Sequence, residues 1–210
     1  MLSSDAQGIG ALKRAAVAAA CSEWVVELDA DDLLHPSALE RVLEAGGDFV
    51  YSDFAEFQTN ESRWPGYPYR GWHSYAVTFE GRELLAMRAR PLTEKNLGSI
   101  GWAPNHLRAW RREAYDRVGG HDPALALADD YDLTLRMFLS GARFVHVPEC
   151  LYFYRVHPDS TVKTQREALR AAADSVSLRY RTALSESFAR RAPSLPRSST
   201  RGRAFSWLDR

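Results

Sequence analysis

The run Trp24-Val25-Val26-Glu27-Leu28-Asp29-Ala30-Asp31-Asp32 carries a short apolar segment straight into a cluster of carboxylates. A strand with such an end delivers acidic side chains to the carboxyl edge of a sheet, where open α/β folds bind their ligands. Asp29 and Asp31 are two apart, so an ideal strand points them the same way. Carboxylates gathered like this repel one another and are costly to desolvate unless a cation neutralises them. Mg2+ or Mn2+ suits such a cluster, held by one or two carboxylates together with substrate phosphates. For an isolated D-x-D the alternative is a solvated acidic turn after a strand.

A second acidic group, Ala128-Asp129-Asp130-Tyr131-Asp132, opens a helical pattern. Carboxylates at a helix start are stabilised by free N–H groups and by the helix dipole. A capping cluster is one reading. A general base, a carboxylate held beside a reacting hydroxyl, is the other.

Short elements must position both groups. Gly8 and Gly10 lead an alanine-rich helix over about 10–21, followed by a strand over 24–28. Pro36 suits the first position of the next helix, whose apolar face is Leu39, Val42 and Leu43, and Gly46-Gly47 ends it. Residues 48–54 read as another strand. This alternation with short links indicates an α/β sheet with crossover helices. Residues 58–78 break the pattern, with 63–72 a loop by its Pro and Gly content, a short helix is expected near 81–89, and an irregular stretch runs to about 105. A strand over 107–110 precedes a helix over 112–118 closed by Gly119-Gly120. Asp129 or Asp130 caps a helix to Ser140 that buries Leu133, Met137 and Phe138 and stops at Gly141. Residues 143–147 form a strand stopped by Pro148, 151–154 form another, and a helix spans 163–190.

The chain has 210 residues, enough for one domain with a sizeable core. Its formal net charge is zero, so no broad field argues for nucleic acid. Cys21 and Cys150 suggest neither a disulfide framework nor a zinc site and fit a reducing cytosol. No apolar run approaches the ~20 residues that span a bilayer. Lys13-Arg14 followed by residues 15–21 imitates a signal peptide ending in a lipidated cysteine. Its apolar part falls short of the usual ~7–15 residues.

Taken together, the pieces resemble family 2 glycosyltransferases. The stretch 28–36 is similar to that family's metal-binding turn. Residues 118–123, then 129–136, then Gly141 look like its acceptor-side segment, and 151–157 like its closing strand. The resemblance covers roughly residues 8–165, in the family's order and at about its spacing. It implies a GT-A-type (Rossmann-like) mixed sheet flanked by helices, a nucleotide-diphosphate-sugar donor, Mg2+ or Mn2+, and transfer with inversion to a saccharide, lipid-carrier or protein acceptor. Carried over residue by residue, Asp29 lies near the donor ribose, Asp31 holds the metal and Asp32 supports that turn. Asp130 is the base, with Asp129 beside it where the family more often has Glu. His157 matches a histidine that in some relatives lies close to the metal or diphosphate; a structural histidine after a strand is the alternative. The implied localisation is cytoplasmic, admitting contact with the inner membrane face.

The chain departs from the family at its start. The strand–helix–strand unit that supplies the first nucleotide-binding strands precedes the segment at Gly8 and is expected to be missing, which leaves room for an N-terminal partner segment. The expected division is a partial GT-A domain over 1–162, a C-terminal helix over 163–190 and a structureless tail over 191–210 rich in Ser, Pro and Arg. That tail could touch an anionic membrane surface. Trp64, Tyr67, Tyr69, Trp72 and Tyr75 offer rings for stacking on sugars or for local packing, and Trp102, Asn105 and His106 are candidates for the acceptor cleft. Lys13 and Arg14 fall near the expected diphosphate side, although such helical residues more often face solvent. Two rival functions stand beside the transferase: a non-catalytic remnant or interaction module, and a nucleotidyltransferase, which shares the sheet-edge metal site.

Overall fold

The computed structural model describes residues 8–58, 74–99 and 104–191. Helix α1 (Ile9–Ala19), strand β1 (Trp24–Glu27), the short strand β2 (Leu33–Leu34) and helix α2 (Ala38–Ala45) come first. Strands β3 (Phe49–Phe57), β4 (Ser74–Phe79) and β5 (Arg82–Met87) follow, then α3 (Glu94–Gly98), β6 (Arg108–Arg111) and α4 (Arg112–Arg117). Helix α5 (Asp129–Leu139), strand β7 (Phe144–Arg155), the single turn α6 (Thr161–Thr164) and the long α7 (Arg166–Arg191) complete the described chain. The tail beyond 191, the aromatic residues Trp64, Tyr67, Tyr69 and Trp72, and Trp102 lie outside the described residues.

The strands form one mixed sheet in the order β1-β6-β3-β5-β4, with β7 parallel to β3 and β2 paired to β7. Every residue of β3 is buried, as a strand covered on both faces requires. The pleat sorts its side chains. Val50 and Phe54 join a core with Ala38 and Val42 of α2, whereas Phe49 and Tyr51 join one with Val17 of α1 and Leu133 and Met137 of α5. A third core packs Val176 and Leu184 of α7 against Leu97, Tyr131, Leu135 and Phe138. No helix among the described residues is long and apolar enough to cross a membrane.

Several local expectations are corrected. The segment near 81–89 is not a helix. Residues 82–87 form β5, joined to β4 by the two-residue turn Glu80-Gly81, with φ of 48° and 74°. Both central residues of such a hairpin turn need positive φ. Arg82-Glu83-Leu84-Leu85-Ala86-Met87 has good helix formers, but pairing of Ala86 and Met87 with Ala55 and Phe54 of β3 overrides that propensity. Helix α2 begins after Ser37, so Pro36 lies before its N-cap rather than at its first position. Its inward face is Ala38 and Val42; Leu39 and Leu43 are exposed, at 56% and 61%. Residues 143–147 and 151–154 are not separate strands. Pro148 lies within one continuous β7, which absorbs it through register irregularities opposite Ser52 and Asp53.

Candidate active site

Strand β1 ends at Glu27, so Asp29 and Asp31 lie in a turn rather than on alternating strand positions. The turn closes through Asp32 N–H donating to Asp29 O at 3.1 Å. Strand β7 clamps it. The Asp32 carboxylate accepts from the Tyr152 hydroxyl at 2.6 Å and from Arg155 N–H at 2.7 Å, and Arg155 Nε donates to Asp31 O at 2.6 Å. Asp32 is buried. Burial pushes its carboxyl up to about 6 against these two hydrogen bonds, with Asp29 and Asp31 adding to the rise.

Clamping Asp32 inward leaves Asp31 outward. The Asp31 side chain is 45% exposed and its Oδ2 lies 2.8 Å from His157 Nε2, itself 35% exposed. One carboxylate and one imidazole thus meet at an accessible point. Among the described residues no group of three or more His, Cys, Asp or Glu converges to hold a metal by protein ligands alone. The Asp31–His157 pair still fits Mg2+ or Mn2+, because such ions keep several waters and take their other ligands from substrate phosphates.

Helix α5 carries the other acids. Its N-cap is Ala128, in the left-handed conformation with φ of 59°, and it makes no side-chain cap. Asp129 and Asp130 therefore sit in the first turn, and the expectation that one of them caps the helix is corrected. Asp130 Oδ1 accepts from Tyr131 N–H at 2.7 Å, and Asp130 Oδ2 accepts from Arg108 Nη1 at 2.6 Å. Asp129 Oδ2 lies 3.3 Å from Lys13 Nζ and 3.7 Å from His121 Nε2.

Sequence reasoning missed what joins these groups. Arg108 of β6 stands opposite Glu27 of β1 in the antiparallel register, and its Nε donates to Glu27 Oε2 at 2.7 Å. Lys13 pairs with the other oxygen of Glu27. Cations Lys13 and Arg108 thus bridge Glu27 to Asp129 and Asp130. Burial opposes ionisation at Glu27 and Asp130, but the cations outweigh it. Glu27 falls to about 2, and Asp130 is held well below the usual carboxylate range. Asp129 goes the other way: burial, aided by Asp130 and Glu27, lifts it to about 6 despite Lys13. The field continues to the acidic turn after β1, where burial and then Glu27 raise Asp29, with a contribution from Asp130.

A signal for Lys13 was present. Gly10, Lys13 and Val17 share a helix stripe, and both Gly10 and Val17 are buried. A Cβ on Gly10 would lie 2.3 Å from Asp122 O, so glycine permits α1 to approach the segment before α5. The expectation of a solvent-facing side chain is corrected for Lys13, which is half-buried on its two carboxylates, whereas Arg14 stays exposed while donating to the carbonyls of Gly119 and His121. His121 is buried: its N–H donates to the Tyr115 hydroxyl, which in turn bonds His121 Nδ1. Desolvation lowers His121 to about 4.

Of the acceptor candidates, Asn105 is buried. His106 stacks on Tyr152 with centroids 4.5 Å apart, and burial drives it down to about 3. Tyr75 donates to Asp53.

A mixed sheet between helical layers, with acids at its strand ends, has the form of a GT-A fold. The model of the glycosyltransferase like family 2 matches residues 3–183, and the chain belongs to that family. Among curated proteins none matches. A crystal structure of S. aureus TarS 1-349 is similar at 16% identity over 89% of this chain and 52% of that one, with TM-score 0.48. Another, of S. aureus TarS, is similar at 17% identity over 83% and 31%, with TM-score 0.49. The chain thus spans about half or less of the solved chains it resembles.

Proposed function

We propose that the chain transfers a sugar from a nucleotide-diphosphate donor to an acceptor hydroxyl, with inversion at the anomeric carbon. The observation carrying this reading is the continuity of the two acidic groups. Arg108 ties Glu27, two residues before Asp29, to Asp130, and Glu27 and Asp130 both contribute to the rise at Asp29.

In this reading Asp31 and His157 would hold Mg2+ or Mn2+, and Asp32 keeps the turn in register. The metal supplies Lewis-acid stabilisation of the diphosphate leaving group. Asp29 lies on the donor side. Asp130 accepts the proton of the acceptor hydroxyl as its oxygen attacks from the opposite face, and the sugar–phosphate bond electrons leave on the diphosphate. Asp129 sits beside the base. Inversion needs no covalent nucleophile. Asn105, His106 and Trp102 are assigned to the acceptor side, and the acceptor is a polysaccharide, lipid-carrier or protein hydroxyl. The setting is cytoplasmic, with the Arg-rich tail able to meet the inner membrane face.

Among the described residues strand β1 is terminal in the sheet order. That favours a second reading, in which a further segment pairs with this edge and the described chain alone is a non-catalytic module. Calorimetry of the purified protein with a panel of nucleotide sugars and Mn2+ separates the two. Metal-dependent binding of one donor, followed by transfer that Asp130→Asn removes, supports the transferase. Absence of heat with every donor supports the module, and pyrophosphate release from nucleoside triphosphates would indicate a nucleotidyltransferase.

A further inference from the structure

We propose that Arg108 is the positioning residue for Asp130: anchored on one edge by Glu27, its guanidinium grips one oxygen of the base and fixes the plane of that carboxylate. This rests on the glycosyl-transfer reading above and adds to it a residue outside both acidic motifs.

Geometry carries the inference. Arg108 is buried, with its side chain 7% exposed, and it spends separate nitrogens on two carboxylates, Nε on Glu27 at 2.7 Å and Nη1 on Asp130 at 2.6 Å. Glu27 is nearly as buried, at 10%, and lies directly across the strand pair. Lys13 also pairs with Glu27, so that carboxylate is shared between two cations and leaves Arg108 charge for Asp130. Of the two carboxylates Asp130 is the more open, with its side chain 32% exposed, and the bond to Arg108 is what orients it. With Oδ2 on Arg108 and Oδ1 on Tyr131 N–H, the carboxylate is tied at both oxygens and keeps only its open side for a proton.

The fork matters as much as the charge. A guanidinium presents several donors in one rigid plane, whereas a lysine ammonium is a point charge on a flexible stem. Arg108 thereby holds Glu27 and Asp130 in one plane, whereas the Lys13 ammonium bridges Glu27 and Asp129 without fixing their orientation. The strut also spans the site: Glu27 lies two residues before Asp29 on the donor side, and Asp130 lies on the acceptor side. The charged and titratable groups facing Asp130 are Lys13 from α1, Glu27 from β1, Asp29 from the turn after β1, Arg108 from β6 and Asp129 from α5, with His106 and His121 in the same field. Both histidines are held neutral near pH 7, so the local cations are Lys13 and Arg108.

The test follows the Asp130 carboxyl by carbon NMR titration, with its signal assigned by Asp130→Asn, in the wild type and in Arg108→Lys. This readout needs no donor. Asp130 in the wild type should titrate below ordinary carboxylates, and in Arg108→Lys clearly higher. With whichever donor the panel identifies, Arg108→Lys should lose at least about tenfold in kcat at little change in donor KM, because one interaction at the base and none at the donor is removed. Its acid limb should move to higher pH. If Arg108→Lys fails to fold, the paired change Glu27→Gln with Arg108→Met removes both charges together and should raise the Asp130 titration likewise. An unchanged titration would overturn the inference, as would a loss confined to donor KM, which would make Arg108 a donor ligand. If no donor is found, the transferase reading fails while the titration still decides the Arg108–Asp130 relation.

Discussion

His157 Nε2 lies 2.8 Å from Asp31 Oδ2, although the residues are 126 positions apart. The contact follows from the clamp beneath it. Tyr152 and Arg155 of β7 seize Asp32 and the Asp31 carbonyl, and the chain leaving β7 brings His157 to the carboxylate that the clamp turned outward.

Asp31→Ala should abolish metal-dependent donor binding, and His157→Ala should weaken Mn2+ by about tenfold or more, roughly 1.4 kcal/mol or above. Titration calorimetry with Mn2+ and each nucleotide sugar checks this. Full affinity in His157→Ala would return that residue to a structural role.

Asp130→Asn should bind the donor as the wild type does and lose transfer by about 10²–10⁴-fold, the usual range for a general base. Single-turnover product formation measures it. Near-normal turnover would show the base assignment to be wrong.

His121 makes stability depend on pH. Burial holds it near 4 in the folded protein, below the ordinary 6.5 of the unfolded chain. As pH falls, the unfolded chain binds the proton first. His121 therefore contributes stability that is complete above about pH 6.5 and drains away toward about pH 4, on the order of 3 kcal/mol in all. Asp129, raised to about 6, acts in the opposite sense: its share is present below about pH 4 and is lost as pH rises through 6. Thermal melts of His121→Phe from pH 7 to 4 should fall less steeply than those of the wild type. Parallel curves would contradict the assignment.

Asp132→Ala should loosen α7 from α5. Asp132 is buried, pairs with Arg136 at 2.6 Å and accepts from Tyr180 of α7 at 2.8 Å. Breaking a buried pair from one side costs about 3–5 kcal/mol, because the partner is left uncompensated. Denaturant unfolding gives the magnitude, and faster proteolysis within 166–191 should accompany it. Third in its motif by sequence, Asp132 serves packing rather than chemistry.

The acidic clusters, the family and the helix–strand alternation were legible because they are local. Apolar runs ending in Asp, glycines closing helices and the spacing of Leu133, Met137 and Phe138 can be read one segment at a time. The hairpin of β4 and β5 was not legible, since its second strand has helix-forming residues and becomes a strand only by pairing with β4 and, at Ala86 and Met87, with β3. Likewise Leu39 and Leu43 look like a core face until the sheet meets α2 on Ala38 and Val42 instead.

The sequence by itself determined which residues can carry charge and on which short elements they lie. Only the tertiary structure decided their partners: that Asp32 is buried while Asp31 is open, that Lys13 turns inward, and that Arg108 joins Glu27 to Asp130. The physical reason is the range of the forces. Propensity and periodicity act over a few neighbouring residues, whereas burial and Coulomb interactions act through space between strands and helices that only the folded sheet brings together.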